Sequence, residues 1–258
     1  MGIINTIWTD DRQMLMCMTW PGMAYGAAAG WQSTPIDRKG FFSDYSHLMY
    51  PRTIAPEVAA ALDDLTASEL AAQKVLGDES MVSFWVNPFD SAMYKKCAAN
   101  QGVLKQTRLQ AEDAEEHLDR ALSLVGDPVT ISNLLFGAEL LDYAGQKFQT
   151  APELSALWRG LGARRPKDEV WWNEWDSQVS YQDHSRLIDL TDAVTELRRT
   201  YQKEWLAEYT QYRLDSALTR WDAEADYWRK LQVRFVNFSK RSHEGESLPA
   251  LETLIPKE

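Results

Sequence analysis

The sequence predicts a mainly α fold: a short strand-and-helix unit at the N-terminus, then a multi-helix domain that closes in a long C-terminal helix or helix pair. Three observations predict it. Residues 2–8 carry the β-branched character of a strand in Ile3, Ile4, Thr6 and Ile7. From Ala55 onward apolar residues recur at helical spacing, punctuated by Gly77, Gly126-Asp127-Pro128 and Gly160-Leu161-Gly162. Between residues 183 and 238 the pairs Val194/Tyr201 and Trp205/Tyr212 and the triplet Trp221/Trp228/Phe235 recur at sevenfold spacing, as a supercoiled helix pair requires.

The elements follow in order. Residues 2–8 read as a buried strand, and Thr9-Asp10-Asp11 supply helix-start chemistry, because carboxylates there satisfy free N–H groups and suit the helix dipole. A helical pattern runs from Arg12 to Gly30 with Met14, Leu15, Met18, Met23 and Ala27 facing a core. Pro21-Gly22 predicts a kink or a break in it. A strand that delivers Trp8 and Asp10 at its C-terminal end and then turns into a helix is how one βα unit of a TIM barrel presents ligand groups. One unit cannot be a barrel. Residues 1–50 therefore read as the terminal βα unit of an incomplete (β/α)8 barrel, a TIM barrel remnant, and 51–258 as a helical domain.

After a loop at 32–40 comes a short helix from Phe41 to Met49, and Pro51 and Pro56 mark the boundary. Ala55–Leu76 is a helix capped by Gly77. A loop follows whose Phe84-Trp85-Val86 must be buried. One helix is predicted over 90–125, a central one over 130–148 that is apolar on several sides, and a short one over 152–161. Trp171-Trp172 and Trp175 lie in a segment of unassigned form. A continuous rod from 183 to 238 would be roughly 80 Å long at 1.5 Å per residue, so it must bend. The tail from Ser239 is polar and reads as frayed.

With 258 residues, one large or two modest domains are accessible. The net charge of −11 repels phosphate backbones and anionic bilayers, so neither nucleic acid nor membrane is an expected partner. Arg164-Arg165 with Lys167 is too short a basic cluster to change that. No apolar run approaches the length of a membrane span, and no signal peptide is visible, which leaves localisation unassigned. Cys17 and Cys97 read as buried free thiols, mildly favouring a reducing compartment. Eleven Trp is high; packing is the commoner use of such residues and sugar stacking the rarer one.

The run Gly2-Ile3-Ile4-Asn5-Thr6-Ile7-Trp8-Thr9-Asp10-Asp11, with Trp20-Pro21 and Ala28-Ala29-Gly30-Trp31, resembles the eighth strand and helix of the glycoside hydrolase family 20 barrel. That family contains the β-N-acetylhexosaminidases. Its last strand typically ends in Trp-x-acid, and the next helix often carries Trp-Pro and closes near an Ala-rich segment with another Trp. The Asp-Asp version followed by a large helical domain resembles the branch with that domain order. The likeness covers residues 2–32, or reaches the Phe41-Phe42 helix, and the rest matches in helical character alone.

The resemblance implies that Trp8 walls the pocket for a terminal sugar ring and that Asp10 accepts hydrogen bonds from its hydroxyls. Asp11 departs from the more usual pattern and is given no more than a capping role. On the residues alone, Trp8 reads first as a core aromatic and Asp10 as a helix cap. The family's chemistry uses an adjacent Asp-Glu pair on an earlier strand. There the Glu is the general acid, and the Asp orients the substrate's acetamido group as nucleophile.

That strand is not among these residues, so no catalytic residue is assigned and the chain is not expected to hydrolyse glycosides by itself. The adjacent acids Asp63-Asp64, Glu112-Asp113 and Glu115-Glu116 fall in amphipathic helical patterns and read as solvated faces. The four His stand apart, without the HxxxH, HExxH or ExxH spacing of a metal site, and no cofactor motif is present. Two functions remain open. One is the C-terminal part of a β-N-acetylhexosaminidase-like enzyme that acts on N-acetylhexosamine-containing glycans, its helical domain packing on the barrel or forming a homodimer. The other is a non-catalytic helical interaction module.

Overall fold

The computed structural model describes residues 14–77, 83–124, 128–179 and 185–256. The expected strand at 2–8, with Trp8 and Asp10, lies outside the described residues. Among those described the chain is helical throughout, and its one β contact is an isolated antiparallel bridge between Arg164 and Ser247.

Helix α1 (Met16–Ala29) starts later than the periodicity from Arg12 suggests and runs unbroken through Pro21. The missing Pro N–H falls in the second turn, and the Pro21 ring is itself buried. The backbone N–H of Met16 donates to Tyr209 Oη at 2.7 Å, which pins the start of α1 to the other end of the chain. Helix α2 (Arg38–Met49) meets α1 through an aromatic run, Tyr25 against Phe41 and Phe41 against Tyr45. It meets α3 (Ala55–Leu76) through Asp63, which takes Arg38 at 2.7 Å and Lys39 at 3.1 Å. Asp63 is thus an inter-helix tie and not a bare solvated acid. The expected end of α3 is observed: Gly77 stands at φ +100°, open to glycine and strained for any other residue.

Of the Phe84-Trp85-Val86 run expected to be buried, Phe84 is wholly so in a 3-10 turn, Ser83–Trp85, while Trp85 and Val86 are half-buried. The helix expected over 90–125 is two, α4 (Ser91–Ala99) and α5 (Gln101–Leu122). Asn100 Nδ2 and Gln101 Nε2 each donate at 2.8 Å to carbonyls of the last turn of α4, Lys96 and Cys97. These side chains take the acceptors a continuing helix would use. Conversely, the two helices expected at 130–148 and 152–161 are one, α6 (Val129–Gly160), with Pro152 inside it. Interior Pro costs a helix about 3 kcal/mol. Here Ala151, Pro152, Leu154 and Trp158 are all buried, and that packing outweighs the local penalty.

Helix α6 is the hub: α1, α3, α4, α5, α7 and α8 all pack on it. Helix α7 (Glu169–Val179) gives the Trp cluster its form, with Trp172 and Trp175 buried against Trp158, Phe235 and Phe238. Helices α8 (Arg186–Glu208) and α9 (Leu214–Arg241) are the expected pair. Val194, Tyr201, Trp221, Trp228 and Phe235 are fully buried along it. The Trp205/Tyr212 step straddles the turn and leaves Tyr212 exposed, so the sevenfold register does not cross it. As far as residue 256 the tail is not frayed. Residues 245–249 pair with the loop after α6 through Arg165 N–H to the Glu246 carbonyl (2.8 Å) and Leu248 N–H to the Ala163 carbonyl (3.0 Å). Trp158 Nε1 donates to the Pro249 carbonyl, and Leu251 is buried.

Candidate functional site

Trp8 and Asp10 lie outside the described residues. The rest of their motif falls on α1 and the turn after it. Helix α1 reads MCMTWPGMAYGAAA, without one charged residue, and Pro21 is its single buried side chain. Trp20 is 45 % exposed and Trp31, just beyond the helix, 92 %. Leu48 and Met49 at the end of α2 extend the same apolar character. Beneath α1 a groove of about 450 Å³ is lined by Met18, Pro21, Phe42, Leu65 and Leu134. At its floor Gly137 admits Met18, whose Cε would stand 3.0 Å from any added Cβ.

A second concavity of about 390 Å³ lies between α9 and the residues after the 3-10 turn, with Trp85, Asn87, Tyr227 and Arg220 in its walls. Two charged residues from the core reach it: Lys147 of α6, 1 % exposed, and Glu224 of α9, 9 % exposed. They pair at 2.8 Å. Lys147 Nζ also donates to the Phe84 carbonyl at 2.7 Å, which ties the 3-10 turn to α6. Tyr143 Oη donates to Glu224 Oε1 at 2.7 Å, and Trp228 Nε1 reaches both of them, at 2.8 Å and 3.2 Å. Burial and the neighbouring Glu224 hold the Tyr143 phenol well above its ordinary range, so it remains a donor.

The adjacent acids are dispersed. Glu112 pairs with Arg108, Asp64 lies 3.8 Å from His117 Nε2, and Glu57 takes His117 Nδ1 at 2.7 Å. Glu115 is half-buried between α5 and α6, contrary to the expected solvated face. Burial first, then Asp142 and Glu139, pushes its carboxyl up to about 8. Burial and Asp119 raise Glu139 to about 7. Burial lifts the thiols as well, Cys17 to about 11 with help from Glu208 and Cys97 to about 12, which keeps both protonated. Cys97 is buried as expected, while Cys17 is partly exposed. No group of three metal-ligating side chains occurs among the described residues.

Sequence reasoning passed over Lys147 and Glu224, although signals for both exist. Lys147 sits in a run otherwise apolar on several sides, Leu140 to Phe148, where a cation must find a partner. Glu224 falls three residues after Trp221 and four before Trp228, on the buried stripe of α9. No family model, no curated protein and no solved structure matches the chain.

Proposed function

We propose that the chain is the C-terminal part of a glycoside hydrolase resembling the β-N-acetylhexosaminidases. Residues 1–50 are then the last βα unit of its barrel, and residues 51–258 a helical body that packs behind it. In this reading Trp8 stacks on the terminal sugar ring, Asp10 fixes its hydroxyls, and the catalytic acids belong to another strand.

One observation carries the reading. A helix that is apolar on every side is ordinarily buried on every side, yet α1 buries Pro21 alone. Its inner face rests on α6 and α2, while Trp20, Gly22, Ala27 and Ala29 stay exposed among the described residues. The outer helix of a barrel lies on its strands with one face. If a second domain packs on the opposite face, that helix must be apolar all round, as α1 is. The Trp20-Pro21 and Ala28-Ala29-Gly30-Trp31 matches fall on this same helix.

The test is hydrolysis of a chromogenic N-acetylglucosaminide by the chain alone and by the chain mixed with a barrel polypeptide that bears an adjacent Asp-Glu pair. Turnover in the mixture alone is the expected result. Turnover by the isolated chain would place the catalytic acids within it and overturn the assignment. The same uncovered face of α1 also favours a second reading, a non-catalytic helical interaction module. Silence in both assays, with the chain self-associating through α1, would select it.

A further inference from the structure

The contact between α3 and α5 is closed at one point by an imidazole. His117 of α5 keeps 28 % of its side chain exposed and faces the first half of α3. Its Nδ1 stands 2.7 Å from Glu57 Oε2 and 2.8 Å from Arg120 Nη2. Its Nε2 stands 3.8 Å from Asp64 Oδ2, about two turns further along α3. Arg120 donates to the same Glu57 Oε2 through Nε at 3.0 Å, and to Glu116 Oε1 through Nη1 at 2.6 Å.

The two α3 carboxylates ask more of the ring than its neutral form can give. A neutral imidazole carries one N–H, so it answers Glu57 or Asp64 and turns a bare nitrogen to the other. The imidazolium carries two and answers both. With the proton on Nδ1, Arg120 Nη2 meets a second donor and must turn aside, while Nε and Nη1 keep their acceptors. Arg38 and Lys39 of α2 are engaged by Asp63, and Asp113 of α5 adds its negative charge to that of Asp63 at Asp64. The face thus sets Glu57, Asp63, Asp64, Asp113 and Glu116 against Arg38, Lys39 and Arg120, and a proton on His117 offsets part of that excess. Glu57 is held below its ordinary value, by the His117 hydrogen bond first, so it stays a carboxylate across the range in which histidines change charge.

We propose that His117 is a proton-operated latch between α3 and α5. Its charged ring bridges Glu57 and Asp64 and fastens residues 55–64, and loss of the proton releases one of the two carboxylates and loosens that stretch. The latch is read on the chain alone, whereas the barrel reading is judged by hydrolysis in a mixture, so either can fail without the other.

Amide hydrogen exchange over residues 55–64 of the full chain, corrected for intrinsic exchange, tests it from pH 5 to 8 beside the NMR titration of the His117 ring. Glu115 and Glu139 lie on the α6 side of α5 and act alike in wild type and His117→Gln, so the ratio of protection between these two chains is the readout. That ratio is expected to be about threefold at pH 5 and to approach one at pH 8, in step with the His117 resonances. His117→Lys, which keeps a cation with several donors, should hold the higher protection throughout. A ratio that does not change with pH would overturn the latch. So would wild-type protection that changes out of step with the His117 ring, a measurement that stands even where a variant does not fold.

Discussion

Lys147 and Glu224 show how much a single buried pair can hold. Removing one partner leaves an uncompensated charge in the core, a loss of about 3–5 kcal/mol, whereas replacing both by apolar residues of similar size is often near neutral. Glu224→Ala is therefore expected to cost several times more in urea unfolding than the double change Lys147→Met with Glu224→Leu. Equal losses would mean that the pair is structurally idle. Glu115 and Glu139 act in the opposite sense. Their folded values, about 8 and about 7, stand above the ordinary 4.5. Between those limits the folded chain binds more protons than the unfolded one, so stability is greatest below that window and declines as pH rises through it. Glu57 is held below its ordinary value by its hydrogen bonds from His117 and Arg120 and withdraws stability at the acid end. The melting temperature should thus peak at about pH 4–5. The double variant Glu115→Gln, Glu139→Gln should flatten the decline toward pH 8. An unchanged slope would show that neither group titrates late.

At the scale of elements, the close crossing of α5 and α6 depends on Gly145. A Cβ there would stand 2.3 Å from Arg108 Cγ and 3.2 Å from the Leu104 carbonyl oxygen. Gly145→Ala gains about 0.5–1 kcal/mol of helix propensity but forces an overpacking of about 1–3 kcal/mol, so it is expected to lower the melting temperature. Gly22→Ala in α1 meets nothing within 4 Å and should raise that of the isolated chain. Thermal melts of the two variants check the sign, and a gain at Gly145 would sink the crossing argument. The legibility of the helices divides along the same line. Where a local signal agrees with burial, as at Gly77 after α3 or along Trp221, Trp228 and Phe235, the sequence was enough. Pro152 and Asn100 misled in opposite directions. A proline reads as a stop until the tertiary packing that overrides it is known, and Asn100 reads as one more polar helix residue until its amide is seen to cap Lys96. The polar tail past Ser239 is ordered by partners near residues 158–165, a contact no local window contains.

For the whole molecule the question is what covers α1. An uncharged helix is legible from sequence as an apolar face, but that the described residues leave Trp20 at 45 % exposure is visible only once α6 is seen to take the other side. Trp8 and Asp10 carry the family resemblance and fall outside the described residues, so that part of the candidate site rests on sequence alone. Trp20→Asp separates the possibilities. The side chain is half exposed and carries little of the isolated fold, so the variant's stability should stay within about 1 kcal/mol of wild type in thermal melts. If α1 docks on a barrel, the added carboxylate would be buried without a partner, and turnover of the N-acetylglucosaminide by the mixture should fall at least about tenfold, with weaker association by ultracentrifugation. If α1 joins two copies of the chain, the same change should instead convert a concentration-dependent dimer to monomer and leave any mixture assay unaffected. A variant that unfolds would give Trp20 a structural role that its exposure does not suggest, and the docking surface would then have to be sought at Trp31, Leu48 and Met49.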